Sequence, residues 1–222
     1  LLDLAAESGA GIIGLNPLHA LYPDNPAHCS PYSPSSRLFL NVLYIDVEAV
    51  ADAAESKATR DLIASPRFQA RLRRLRAAEL VEYAEVGAAK LDALRLAWRH
   101  FREHHLAHNS ERAHAFHQYC ADEGEALRTH ALFEALQAHF RKQDAAVWGW
   151  PAWPEAYRDP AAAEVAEFAV AHAVEVDFYR YLQWLAEQQL AAAGARSWSL
   201  GLGVGLYQDL ALGVDPGGAE AW

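Results

Sequence analysis

The segment from Gly14 to Val47 limits the possible folds more than any other part of the chain. It carries five prolines and shows no helical period. Because proline fixes its own φ angle, lacks an N–H donor and disfavours helix in the residue before it, no helix can run through this segment. The segment is also rich in leucine, phenylalanine and tyrosine, which is not typical of a disordered linker. It therefore predicts a long ordered loop, and loops of this length in compact domains are usually functional.

Two short apolar segments are predicted as strands. Gly11 to Leu15 precedes the proline-rich segment and is typical of a fully buried parallel strand, and Val204 to Asp209 lies near the other end of the sequence. A brief extended piece is predicted at Val42 to Val47. Nearly the whole chain separates the two strands, whereas a β-α-β unit needs about thirty residues. The middle of the chain is therefore predicted to be an insertion between consecutive strands of a larger sheet or barrel.

The insertion is predicted to be mostly helical. A basic helical pattern runs from about Asp46 to Arg76, with Pro66 marking a helix start. A long helix is predicted from Pro160 to Ala193 and is expected to end at Gly194. Apolar residues three and four positions apart predict the buried faces of these helices: Leu91, Leu94, Trp98 and Phe101 on one, and Val165, Phe168, His172, Val176, Tyr179 and Leu182 on another.

Charge and cysteine content restrict the possible partners and location. The net charge of −10 argues against nucleic acid or an anionic membrane surface as a partner, since both attract basic proteins. The two cysteines form neither a paired metal-binding motif nor a dense disulfide framework, so a reducing, cytoplasmic setting is expected. No secretory signal pattern opens the sequence, and no apolar run of about twenty residues occurs in it.

No cofactor or metal is predicted from the histidines or glycines. His19 and His28 lie in the proline-rich segment without other ligands at suitable spacing, and the histidines between positions 100 and 108 are interpreted as a solvated helix end. The glycine-rich run at 201–205 precedes a strand, whereas a dinucleotide-binding fingerprint follows a strand and opens a helix.

Three blocks of sequence resemble, in the same order, the amylomaltases, bacterial 4-alpha-glucanotransferases of glycoside hydrolase family 77. They are GLNPLHALYPDNPAHCSPYSPSSRLFLNVLYIDVEAV, WGWPAWPEAY, and FYRYLQWLAEQQLAAAGARSW followed by GLYQDLALGVDPGGAEAW. The resemblance implies an α/β fold, namely part of a (β/α)8 TIM barrel with about two barrel strands and a large, mostly helical insertion between them. It implies a barrel strand and substrate loop at 1–47, a helical insertion subdomain at 48–160, and a barrel helix, strand and exit loop at 161–222. We also expect the sequence to be an internal piece of a longer polypeptide.

The resemblance also implies four substrate-binding residues. Ser30 and Tyr32 match a Ser-Pro-Tyr motif whose tyrosine packs against a bound sugar, and Asp209 matches an aspartate that lines the sugar-binding cleft. Asn16 follows the first strand, and barrel active sites lie at the carboxyl ends of strands. The alternatives are that Tyr32 anchors its own loop and that Asp209 caps a helix or closes a loop.

The catalytic residues are expected to lie outside this chain. Retaining glycoside chemistry needs two carboxyl groups about 5 Å apart, and the family supplies them from Arg-Ile-Asp-His, Glu-Asp-Leu-Gly and Thr-His-Asp motifs. None of these motifs occurs in the sequence, so the isolated chain is expected to be inactive.

The implied activity is transfer of α-1,4-glucan segments to the 4-hydroxyl of glucose or maltodextrin by a retaining double displacement, with maltooligosaccharides as partners. Two alternatives remain open at this point. The chain could be a stand-alone, non-catalytic α-glucan-binding or interaction module, or a fragment of an α-glucan hydrolase.

Overall fold

The computed structural model describes residues 1–222 and is mostly helical. The helices are α1 (Leu2–Glu7), α2 (Ala51–Glu55), α3 (Lys57–Ala64), α4 (Pro66–Ala77), α5 (Tyr83–His104), α6 (Glu111–Gln143), α7 (Ala163–Ala171) and α8 (Ala173–Ser199). The strands are β1 (Ile12–Leu15), β2 (His19–Ala20), β3 (Ser36–Leu40) and β4 (Gly205–Gln208). None of the helices combines the length and apolar character that a membrane span requires.

The strands at the two ends of the chain pair with each other. β1 and β4 are parallel, with Ile12 opposite Gly205 and Leu15 opposite Gln208. Helices α2 to α8 lie between these strands along the chain, and this part of the chain is mostly helical, as predicted. The prediction that the first strand is fully buried is wrong for this chain, because β1 has a strand neighbour on one side only and Ile12 is 47% exposed.

The core lies between the long helices. α6 packs along α8, and α5 contacts α8 as well. Phe101, from the predicted face of α5, lies here in an aromatic cluster. Its ring centroid is 5.2 Å from that of Tyr181 and 5.5 Å from that of Trp184, two α8 residues outside the predicted stripe. The predicted stripe on α7 and α8 is buried at Val165, Phe168, Val176, Tyr179 and Leu182, whereas His172 is half-buried.

The proline-rich segment contains a small sheet that the sequence did not predict. β2 and β3 pair in antiparallel orientation, with an irregularity between His19 and Ala20. The extended piece predicted at Val42 to Val47 is wrong, since residues 42–44 and 47–49 form two single 3-10 turns. Asn41 and Asp46 start these turns by accepting hydrogen bonds from the N–H groups of residues 43 and 48. Short polar side chains therefore turn the chain where the apolar pattern favoured extension.

Capping residues mark the ends of the helices in this chain more reliably than glycines do. Pro66 opens α4 as predicted, and the Ser65 hydroxyl caps the helix by accepting from the Phe68 N–H at 3.2 Å. The predicted helix at 160–193 is instead two helices that break at His172, whose φ of −116° and ψ of 25° are not helical. Gly194 does not end α8, which continues to Ser199; the chain turns at Gly201, where φ is +83°.

Candidate functional site

Asn16 and Asp209 occupy the same edge of the parallel strand pair. Each residue directly follows its strand, β1 or β4, and the Asp209 N–H donates to the Leu15 carbonyl at 3.2 Å. The carboxyl ends of the two strands therefore bring these two residues together, which is where the sequence predicted them. Asn16 is exposed at this edge and Asp209 is half-buried.

The Asp209 carboxylate has one oxygen engaged locally. Its Oδ1 accepts from the N–H of Leu210 at 2.9 Å, so part of the side chain does close its own loop. Oδ2 makes no hydrogen bond within the chain and remains able to accept one from a ligand. His19 Nε2 accepts from the N–H of Ala211 at 3.2 Å, and burial, followed by the nearby Arg37, lowers the pKa of His19. A neutral His19 therefore holds the loop that follows Asp209.

The loop after β4 runs beside the proline-rich segment. The N–H groups of Asp215 and Glu220 donate to the carbonyls of Pro34 and Ser35 at 2.8 and 2.9 Å, and the Ala219 N–H donates to the Ser35 hydroxyl at 3.0 Å. A Cβ atom on the neighbouring glycine, position 218, would lie 2.5 Å from the Ser35 carbonyl oxygen. The close approach of the two loops therefore requires glycine at this position.

An ion pair fastens the same two loops. The guanidinium of Arg37 donates through Nε and Nη2 to Glu220 Oε1 at 3.0 and 2.5 Å, and the Arg37 backbone N–H donates to Glu220 Oε2 at 2.7 Å. The hydrogen bonds from Arg37 lower the pKa of Glu220. Such a carboxylate stays ionised and suits a positioning role, whereas a general acid in glycoside cleavage needs a raised pKa.

His28 belongs to the packing of these loops. Its Nε2 lies 3.2 Å from Asp215 Oδ2, and its ring packs against both Tyr22 and Trp148 at centroid distances of 5.2 and 4.9 Å. Asp215 Oδ1 also accepts from the Gly217 N–H at 2.8 Å. Neither His28 nor His19 belongs to a group of three potential metal ligands.

Ser30 and Tyr32 lie at an exposed turn of the proline-rich segment. The Ser30 carbonyl accepts from the N–H of Ser33 at 3.2 Å, which closes the turn around Tyr32. Tyr32 is 57% exposed, so more than half of its surface is open to solvent. No hydrogen bond joins the Tyr32 and Asp209 side chains; their loops are linked through the backbone at Pro34 and Ser35.

The second sequence block, WGWPAWPEAY, packs against the loop that follows β4. The Trp150 indole N–H donates to the Pro216 carbonyl at 3.0 Å, and Trp153 is fully buried against Phe133 and Trp222 at centroid distances of 5.1 and 5.5 Å. Sequence reasoning missed the contacts of Ser35, Arg37, Asp215, Gly218 and Glu220. A local sequence motif cannot reveal them, because Arg37 and Glu220 are 183 residues apart.

The carboxylates near the strand ends do not form a free catalytic pair. Each binds a donor of this chain: Asp209 the Leu210 N–H, Asp215 the Gly217 N–H, and Glu220 the Arg37 guanidinium. The arrangement can offer an exposed aromatic ring and hydrogen-bond acceptors to a polar ligand.

Comparisons with family models, curated proteins and solved structures all indicate the same family. A family model described as 4-alpha-glucanotransferase, glycoside hydrolase family 77, matches residues 1–222. The 4-alpha-glucanotransferase of Haemophilus influenzae is 32% identical over 225 residues, covering 100% of this chain and 32% of that protein. A 4-alpha-glucanotransferase of Mycobacterium bovis is 34% identical, covering 98% and 29%. The chain thus spans about a third of the length of the curated relatives it matches.

Two solved structures share the fold. The amylomaltase of Corynebacterium glutamicum is 31% identical with a TM-score of 0.74, covering 99% of this chain and 28% of that one. An amylomaltase of Streptococcus agalactiae, solved in complex with acarbose, has a TM-score of 0.74 at 17% identity, covering 100% and 40%. The family match over every residue, together with these relatives, shows that the chain belongs to glycoside hydrolase family 77, the 4-alpha-glucanotransferases.

Proposed function

We propose that this chain forms one wall of the glucan-binding cleft of a 4-alpha-glucanotransferase. The observation that carries the proposal is the joining of two loops at the carboxyl ends of β1 and β4. One loop presents the exposed ring of Tyr32, and the other begins with Asp209, whose Oδ2 is free to accept a hydrogen bond. Acarbose in the Streptococcus agalactiae amylomaltase supports a carbohydrate as the ligand class.

Each proposed contact has a physical basis. The flat apolar face of Tyr32 suits the C–H groups of a glucose ring, and its hydroxyl is able to hydrogen-bond a sugar hydroxyl. The carboxylate of Asp209 and the side chains of Ser30 and Asn16 supply polar partners for other sugar hydroxyls. The Arg37–Glu220 pair and the backbone bonds at Ser35 hold both loops in place before the ligand arrives.

The whole protein is proposed to transfer α-1,4-glucan segments to the 4-hydroxyl of glucose or a maltodextrin. A retaining double displacement requires a carboxylate nucleophile and a second carboxyl as acid and base, and both are assigned to parts of the protein outside this chain. In this proposal β1 and β4 are consecutive strands of a (β/α)8 barrel, residues 48–160 form an insertion subdomain, and residues 161–222 supply the next barrel helix, strand and exit loop. The free thiols of Cys29 and Cys120 fit a reducing cytoplasmic setting.

Titration with maltooligosaccharides tests the role of Tyr32. Calorimetry with maltohexaose should show binding to the chain, and Tyr32→Ala should weaken it about 2- to 12-fold, since an aromatic contact contributes roughly 0.5–1.5 kcal/mol. Trp198→Ala is the matched control, because this equally exposed aromatic is 63% accessible and lies beside Gly205, at the opposite end of β4 from Asp209.

The comparison of the two variants decides the outcome. Weaker binding in Tyr32→Ala alone supports the proposed wall of the cleft. Equal affinities for the wild type and Tyr32→Ala, or equal losses in both variants, would contradict it.

A further inference from the structure

Three potential metal ligands meet where α2 contacts the junction of α5 and α6. Glu55 ends α2, His100 lies near the end of α5, and His105 follows that helix. One donor atom from each residue lies within 4.8 Å of the other two. His105 Nε2 is 3.1 Å and His100 Nε2 is 3.5 Å from Glu55 Oε2. The sequence alone predicts that these histidines belong to a solvated helix end, because Glu55 is far from both of them along the chain.

These separations suit a tetrahedral zinc ion. Zinc bonds to histidine nitrogen and carboxylate oxygen are about 2.0–2.1 Å long, so neighbouring ligand atoms in a tetrahedron lie about 3.3 Å apart. Two imidazoles and one carboxylate are a known donor set for zinc, with water as the fourth ligand. Small side-chain rotations would therefore be enough to close the three residues around the ion.

The surroundings of His105 orient its ring for metal binding. Its Nδ1 lies 2.9 Å from the Ser110 hydroxyl, which also accepts from the Ala113 N–H at 3.3 Å. If Nδ1–H donates to this hydroxyl, Nε2 carries the lone pair that faces Glu55. A hydrogen bond from the second nitrogen of a histidine is the usual support of a metal ligand.

A buried carboxylate oxygen beside the cluster lacks a partner. Asp52 is 0% exposed, and its Oδ1 makes no hydrogen bond although it lies 3.6 Å from His105 Nε2. Its other oxygen is satisfied by Arg112 and by the hydroxyl of Tyr181, both at 2.7 Å. Because buried polar atoms are normally paired, the orphaned oxygen points to a missing donor at this place, such as a metal-bound water.

The local charge also favours a cation. Asp52 and Arg112 balance each other, and Arg112 Nη1 lies 3.6 Å from Glu55 Oε1. Glu55 then adds one negative charge that is available to a divalent ion.

We propose that Glu55, His100 and His105 form a Zn²⁺ site that fastens α2 to the α5–α6 junction. The bound ion stabilises the helical insertion, because a ligand that binds only the folded chain raises its stability with concentration. The site uses other residues than the strand-end loops, so it is independent of glucan binding.

Zinc titration of the chelator-treated chain tests the site. Calorimetry with ZnCl2 should show one equivalent, Co²⁺ should give the visible absorption of a tetrahedral complex, and the melting temperature should rise with zinc. Glu55→Gln and His100→Gln should each weaken zinc binding at least about 10-fold, as loss of even an outer-shell partner does. His108→Gln is the control, since this exposed histidine lies outside the cluster and should bind zinc as the wild type does.

Three results would overturn the proposal. The first is the absence of zinc binding, and the second is uptake of several equivalents that neither Glu55→Gln nor His100→Gln reduces. The third is a melting temperature that zinc leaves unchanged. That last result would show that no bound ion links α2 to the α5–α6 junction.

Discussion

At the scale of single residues, the buried carboxyl of Glu134 departs most from ordinary side-chain chemistry. It lies on α6, is 2% exposed, and neither oxygen has a hydrogen-bond partner. Burial, followed by the nearby Asp24, raises the pKa of Glu134 well above its usual value. His130, one turn earlier, has its pKa lowered by burial to about 3, so the neighbouring pair is neutral in the folded chain. Tyr179 faces the same region from α8.

A pH-dependent stability follows from this protonated carboxyl. The folded state keeps a proton that the unfolded chain releases above about pH 4.3, so Glu134 lowers the stability progressively as the pH rises above that value. Glu134→Gln removes this dependence. We expect the variant and the wild type to differ least near pH 4, and the variant to gain up to about 1.4 kcal/mol for each pH unit above it.

Urea unfolding from pH 4 to pH 8 measures this difference. Glu123→Gln is the matched control, because Glu123 is an exposed carboxylate on the same helix. A stability gap between Glu134→Gln and the wild type that stays constant over this range would show that Glu134 is ionised when buried.

At the scale of elements, α8 shows how a glycine inside a helix differs from one that ends it. Gly194 lies within α8 with open space around its Cα, whereas Gly201 turns the chain after the helix with φ of +83°. Alanine stabilises a helix interior by roughly 0.5–1 kcal/mol relative to glycine and is strained at positive φ by about 1–2 kcal/mol.

Opposite effects are therefore expected from the same substitution at the two positions. Gly194→Ala should raise the free energy of unfolding and Gly201→Ala should lower it, by the amounts just given. Neither new Cβ would contact another atom within 4 Å, so packing does not confuse the comparison. Denaturant unfolding monitored by circular dichroism gives both values, and a stabilising Gly201→Ala would show that α8 does not end there.

The elements that the sequence predicted well have local signals. Pro66 marks its helix start because proline suits the first helical position, and the apolar runs of β1 and β4 mark the strands. The pairing of β2 with β3 was missed because β2 has only two residues and no alternating pattern. The prediction that Gly194 ends the helix is wrong because glycine weakens a helix but does not always end it.

At the scale of the whole molecule, contacts between distant parts of the sequence build the candidate site. The motif resemblance placed Asn16, Ser30, Tyr32 and Asp209 on one side of the chain, and the parallel pairing of β1 with β4 does bring Asn16 and Asp209 to one edge. The contacts that hold the loops together were not predictable, since Arg37 and Glu220 carry no signal of their partnership. Their meeting depends on how α6 and α8 pack and return the chain to β1.

The contacts of these loops also limit the chemistry that is open to the isolated chain. Its strand-end carboxylates are bound by donors of the chain itself, and Glu220, held by Arg37, has a lowered pKa. Retaining glycoside transfer requires a carboxylate nucleophile and a second carboxyl group with a raised pKa as general acid, and the lowered pKa of Glu220 does not suit the second role. We therefore expect the purified chain to bind maltodextrins and to leave maltotriose unchanged. Chromatography of maltotriose after prolonged incubation measures this, with a ladder of shorter and longer maltodextrins as the contrary result. A ladder that persisted in Asp209→Asn would place the catalytic groups elsewhere in these 222 residues, whereas its loss there would show that the activity depends on Asp209.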